Sequence, residues 1–134
     1  AVEVLEILAP TPEARLEMAV TPLEKDLLKA VHTLYGDGEK FDRDVAYRDY
    51  LAGLYQKYPG NQEIAAFYAL SLLGAVPSGR DDESFDKGAR IVQGILAENP
   101  NHPGALHYMI HANDDPEHAR LALEAAHSYS EVAA

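Results

Sequence analysis

Proline and glycine cut this chain into helical pieces at regular places. Tyr58-Pro59-Gly60-Asn61 and Asn99-Pro100-Asn101-His102 each close one run of helical periodicity and open the next, and their prolines stand 41 positions apart. Thr21-Pro22 opens another run as an N-cap followed by proline at the first helical position. Between these breaks the apolar residues recur every three or four positions: Leu23, Leu27, Leu28, Val31 and Leu34 before a stop at Gly36; Val45, Tyr47, Leu51, Leu54, Tyr55 and Tyr58 over residues 42–58; Ile64, Ala65, Tyr68, Ala69, Leu72 and Leu73 after an Asn61 cap. A fourth stripe, Phe85, Ala89, Val92, Ile95 and Leu96, covers residues 85–98. A fifth helix follows the turn His102-Pro103-Gly104 and ends near Asn113, and a sixth starts at Asp115-Pro116 and runs to about residue 129. Residues 1–8 and 13–20 read as two short helices, and nothing reads as a strand.

Paired helices closed by proline suggest a repeat. A tetratricopeptide unit is ~34 residues, and the longer spacing here is accounted for by the polar stretch GAVPSGRDDES at residues 74–84. That stretch reads as a solvated insert which the packed helices do not need. The expected fold is therefore all-α: a single domain over 1–134, a right-handed superhelical stack of antiparallel helix pairs with units at 21–59, 61–100 and 101–134 and a helical lead-in at 1–20. Small residues at Ala69, Ala89, Ala112 and Ala122 suit close helix packing, although the tryptophan and glycine of the consensus first helix are missing.

Composition excludes several classes of function. The chain has no cysteine, which removes disulfides, thiolate metal sites and cysteine nucleophiles. Its formal net charge is -11, so nucleic acid and anionic lipid are poor partners and a basic partner suits it better. No apolar run reaches the ~18 residues of a membrane span, and residues 1–10 lack the basic start of a signal peptide. No phosphate-binding loop, nucleophile elbow or dinucleotide fingerprint is present. RDDESFD, residues 80–86, lacks the glycine and closing glutamate of a calcium loop and reads as solvent-facing.

The strings TPLEKDLLKAVHTLYG, AYRDYLAGLYQKYPGNQEIAAFYALSLLG and, above all, NPNHPGALHYMIHANDDPEHARLALEAAHSYSEVA resemble an uncharacterised bacterial tetratricopeptide-repeat family from about Pro10 onward. The resemblance implies a repeat stack. It also implies a fragment of a longer member with further repeats and a histidine-rich segment beyond residue 134, and, because resembling precursors carry export signals, a periplasmic or secreted setting.

Candidate chemistry gathers in HPGALHYMIHANDDPEH, residues 102–118. His107 and His111 are i and i+4 on one helix face, which Asp114 or Asp115 extends by a turn. In the repeat register, Gly104, His107, His111, Asp114 and Asp115 line the concave groove, with Tyr108 beside them. The expected function is a non-catalytic, tetratricopeptide-like scaffold for protein–protein interaction, holding a basic protein or peptide in that acidic, histidine-lined groove. The alternative is a divalent-metal protein in which His102, His107, His111 and His118 hold zinc or a similar ion, since a closed zinc site takes about four ligands. A zinc peptidase is disfavoured because Tyr108 follows His107 where the catalytic glutamate belongs. Asp115 before Pro116 reads first as an N-cap. His32 reads as a surface residue and His127 as a surface or packing residue. Tyr47, Tyr50, Tyr55, Tyr58, Tyr68 and Tyr108 read as core or groove edge. An uncapped last repeat, presenting Leu121, Leu123 and Ala125, predicts a homodimer through the C-terminal end.

Overall fold

The computed structural model describes residues 2–133. Among them lie eight helices and no strand: α1 (Val2–Leu8), α2 (Pro12–Met18), α3 (Pro22–Leu34), α4 (Lys40–Lys57), α5 (Gln62–Gly74), α6 (Asp82–Glu98), α7 (Pro103–Ala112) and α8 (Ala119–Val132). The two terminal residues of the expected 1–8 and 101–134 segments, Ala1 and Ala134, lie outside the described residues. Each helix from α2 onward packs on the one that follows, and α5 also meets α7 across the line of the chain.

The caps explain why the helices start where they do. Thr21 accepts from the Glu24 N–H at 3.2 Å while Glu24 accepts from the Thr21 N–H at 2.7 Å, a reciprocal capping box with Pro22 at the first position. Asn61 accepts from the Ile64 N–H at 3.0 Å and starts α5. Two boundaries differ from the sequence reading. The fourth-stripe helix begins at Asp82, not near 85, because Asp81 caps it through the Ser84 N–H at 3.0 Å and Asp82 and Glu83 suit the positive end of the helix dipole. Most of the supposed acidic loop is thus the first turn of α6. The last helix begins at Ala119, because Asp115 accepts from the Glu117 and His118 N–H groups at 2.9 and 3.1 Å and so caps a separate turn ahead of α8.

The core has two parts joined by α5. On one side Leu51 and Leu54 of α4 meet Ile64, Tyr68 and Leu72 of α5, with Ala30 of α3. On the other, Ala65, Ala66 and Ala69 of α5 meet Val92 and Ile95 of α6, Ala105 and Met109 of α7, and Ala125 of α8. Small side chains let these backbones come close. A Cβ at Gly88 would stand 2.6 Å from Leu73 Cδ1 and 3.3 Å from the Ala69 carbonyl oxygen, so α6 approaches α5 at a position that only glycine fills without displacement.

Three polar clasps were not visible in the sequence. Buried Asp26 on α3 accepts from Lys57 Nζ and Tyr58 Oη, each at 2.6 Å, and ties α3 to the end of α4. Buried Arg15 on α2 donates to the Ala9 carbonyl at 2.8 Å and to His32 Nε2 at 3.1 Å. His32 is therefore a half-buried acceptor on α3 and not a free surface residue. Burial first, and the Arg15 charge second, hold its pKa below the ordinary histidine value, consistent with a neutral ring that accepts.

The third clasp corrects the reading of residues 74–84 as dispensable. Arg80 donates to the Ala112 carbonyl at 3.1 Å, pairs with Asp115 at 3.2 Å and lies over the Phe85 ring at 4.4 Å. One guanidinium thus joins the insert to the α7–α8 corner. Of the three residues expected on the apolar C-terminal face, Ala125 is buried, Leu121 half-buried and Leu123 exposed, and Leu121 and Ala125 line a groove of about 330 Å³ with Leu96, Leu106 and Met109. At the other end Val4, Ile7, Met18 and Val20 are exposed.

Candidate functional site

The segment 102–118 divides into three environments. His102 caps α7: its Nδ1 accepts from the Ala105 N–H at 3.2 Å, which places the ring proton on Nε2. That Nε2 is buried without a hydrogen-bond partner, 3.4 Å from the Glu63 carboxylate on α5. His102 therefore belongs to the joint between α5 and α7, and its capping nitrogen is not free for a ligand.

His107 and His111 come together as the i, i+4 spacing predicts. Their Nε2 atoms are 3.0 Å apart, so one ring donates and the other accepts. His107 also stands against Tyr129 of α8, with ring centroids 5.4 Å apart, and edge-on to Tyr108 at 5.8 Å. His111 is exposed and His107 half-exposed.

Asp115 and His118 form the third environment. The His118 Nδ1 lies 2.8 Å from an Asp115 carboxylate oxygen, and Arg80 pairs with that same oxygen at 3.2 Å. Burial raises the Asp115 pKa, but the hydrogen bonds from the His118 ring and backbone and from the Glu117 N–H, with the Arg80 charge, outweigh it and hold the carboxyl below its ordinary value. Because α7 stops at Ala112, where Asn113 turns back to donate to the Met109 carbonyl at 2.8 Å, neither Asp114 nor Asp115 continues the His107–His111 face. Asp114 is exposed on the turn. Among the described residues no three His, Asp or Glu side chains gather closely enough to hold a metal ion.

What the fold does assemble is an open face. Along α5 Glu63, Phe67 and Gly74 are exposed and Leu70 half-buried, and along α7 His111 is exposed and Gly104, His107 and Tyr108 half-buried. The two helices touch, and Glu63 stands close to Tyr108 and to His102. Burial, then the nearby Glu63 and Tyr129, raise the Tyr108 pKa. Burial, then Tyr108 and Tyr35, push that of Tyr47 on α4 up to about 12. Both phenols are neutral at physiological pH and keep a hydroxyl able to donate and accept. The sequence had placed Tyr47 and Tyr108 at core or groove edge. It gave no signal for Glu63, Phe67 or Tyr129, whose part depends on how the helices pack.

No family model, curated protein or solved structure matches the chain.

Proposed function

We propose that the chain is a non-catalytic, tetratricopeptide-like stack that binds a protein or peptide along the open face of α5 and α7. Consecutive packing, contact between α5 and α7, and caps at Thr21, Asn61 and His102 support helix-pair units of the kind that stack into a right-handed superhelix. The observation that carries the binding reading is the contact of α5 with α7, which brings the Glu63 carboxylate near the Tyr108 phenol and the His107–His111 pair. Such a face gains affinity from pre-organisation and a few aromatic and polar contacts. Glu63 and the net charge of -11 favour a basic ligand. Among the described residues no helix is long and apolar enough to cross a membrane.

The test is selection from a random peptide library on the immobilised protein, with the selected peptides then measured against Tyr108→Ala and Glu63→Gln. Lysine- or arginine-bearing peptides that lose at least tenfold in affinity to Tyr108→Ala support the reading. Peptides that bind both variants like the wild type would place the interface elsewhere and overturn it.

The 3.0 Å approach of the two Nε2 atoms favours a second reading, capture of a divalent ion by His107 and His111. A metal-dependent melting shift that His107→Gln/His111→Gln abolishes supports it; a shift shared by both proteins counts against it. A native ligand at a hundredfold excess over Kd stabilises by about 2.7 kcal/mol.

A further inference from the structure

The end of the molecule farthest along the chain from the histidines carries an apolar surface of its own. α1 is a seven-residue helix, VEVLEIL, with no buried residue and no extended packing against another helix. A helix this short does not hold itself in water, where isolated helices under ~12–15 residues are marginal. Its Val4 and Ile7 are 68% and 85% exposed, and beyond α2 Val20 is 86% exposed. Between the end of α1, α2 and α3 lies a groove of about 370 Å³ walled by Leu8, Met18, Leu27, Leu28 and Val31. The α3 residues among these belong to the apolar stripe that the sequence shows and are half-buried, Leu27 also packing on the core shared by α4 and α5.

The charges around this groove select its occupant. Glu24 stands on the wall, and Glu3, Glu6, Glu13 and Glu17 are exposed on α1 and α2. Arg15 also lines the groove but is buried and donates to Ala9 and His32, and the exposed cations of α3, Lys25 and Lys29, are outnumbered by the five glutamates. Two copies meeting through this end would set acidic rims against each other, which disfavours a symmetric dimer there.

We infer that the α1–α3 end is a docking groove for a basic amphipathic helix of a partner protein, its apolar stripe on the Leu8–Val31 wall and its lysines or arginines against the glutamates. This surface is separate from the α5–α7 face.

Two labelled 18-residue helical peptides test it: one with a leucine stripe flanked by lysine, and a twin with the same stripe flanked by glutamate. Binding is read by fluorescence anisotropy at low and high salt, with wild type, Ile7→Asp, Met18→Asp and Tyr108→Ala. Ile7 and Met18 are exposed, so circular dichroism of their variants should match the wild type. The expected result is binding of the lysine peptide at least tenfold tighter than its twin, weakened by salt, reduced at least tenfold by Ile7→Asp and Met18→Asp, and unchanged by Tyr108→Ala. Equal binding of the twins, or indifference to Ile7→Asp and Met18→Asp, overturns the inference. So does a micromolar dimer of the protein alone that Ile7→Asp dissolves, because the occupant is then a second copy. Loss with Tyr108→Ala alone also overturns it, since the peptide is then on the α5–α7 face.

Discussion

The two sides of α5 pack by opposite means. Toward α4 the contact is built from large side chains, Leu51, Leu54, Ile64, Tyr68 and Leu72; toward α6 and α7 it is built largely from alanine and from the gap at Gly88. Bulk holds one side and close backbone approach the other. The polar clasps differ too: Asp26 joins helices adjacent in the chain, whereas Arg80 reaches from the insert to the α7–α8 corner. Opposite kinds of substitution should therefore damage the two sides.

The largest effect is expected on the bulky side. Leu51 is fully buried, and Leu51→Ala should lower unfolding free energy by about 2–5 kcal/mol through lost burial and the cavity left behind. Urea unfolding measures it. On the alanine side the α5 residues have little to lose by truncation, and enlargement is what hurts: Ala69→Leu should cost about 1–3 kcal/mol, because Ala69 is fully buried and its carbonyl lies close to Gly88. If Ala69→Leu leaves stability unchanged, there is spare room beside α6 and the contrast fails.

The Asp26 clasp should show itself through pH. Hydrogen bonds from Lys57 and then Tyr58 hold the Asp26 carboxyl below its ordinary pKa, against the opposing pull of burial. A depressed carboxyl pKa contributes stability that is fully present above the unfolded value of about 3.9 and is lost as pH falls through the lower folded value. Asp26→Asn should therefore lower Tm at pH 7, with the gap from wild type shrinking below about pH 4. A gap that stays constant down to pH 2 would show that the charge is not what matters. The smallest effect is expected on the open face: His107→Gln with His111→Gln should leave Tm nearly unchanged in metal-free buffer, because His111 is exposed and the pair anchors no other helix by a hydrogen bond.

The helices were legible because their signals are local. Thr21-Pro22-Leu23-Glu24 and Asn61 carry their caps within three residues, and the apolar spacing over 22–34 and 62–74 needs no partner to be read. What escaped the reading was settled over distance or against type. An acidic pair at 81–82 resembles a solvated loop until a helix follows it, and an imidazole is a rare cap, so His102 looked like a ligand. His32 is adjacent in sequence to none of its partners, and Arg15 finds it across 17 positions. At the candidate site the i, i+4 pair was legible, while Glu63 comes near Tyr108 only because α5 lies against α7.

The burial of α5 on both sides bears on how the molecule comes apart. Ile64, Tyr68 and Leu72 belong to one core and Ala65, Ala66 and Ala69 to the other, on a single run of backbone. Linear arrays of stacked helices often fray from an end, one unit at a time, because each unit answers only to its neighbours. Here the central helix cannot melt for one side and stay folded for the other. Its amides should exchange with solvent at the rate of global opening, the slowest in the chain, while those of α1 exchange almost freely.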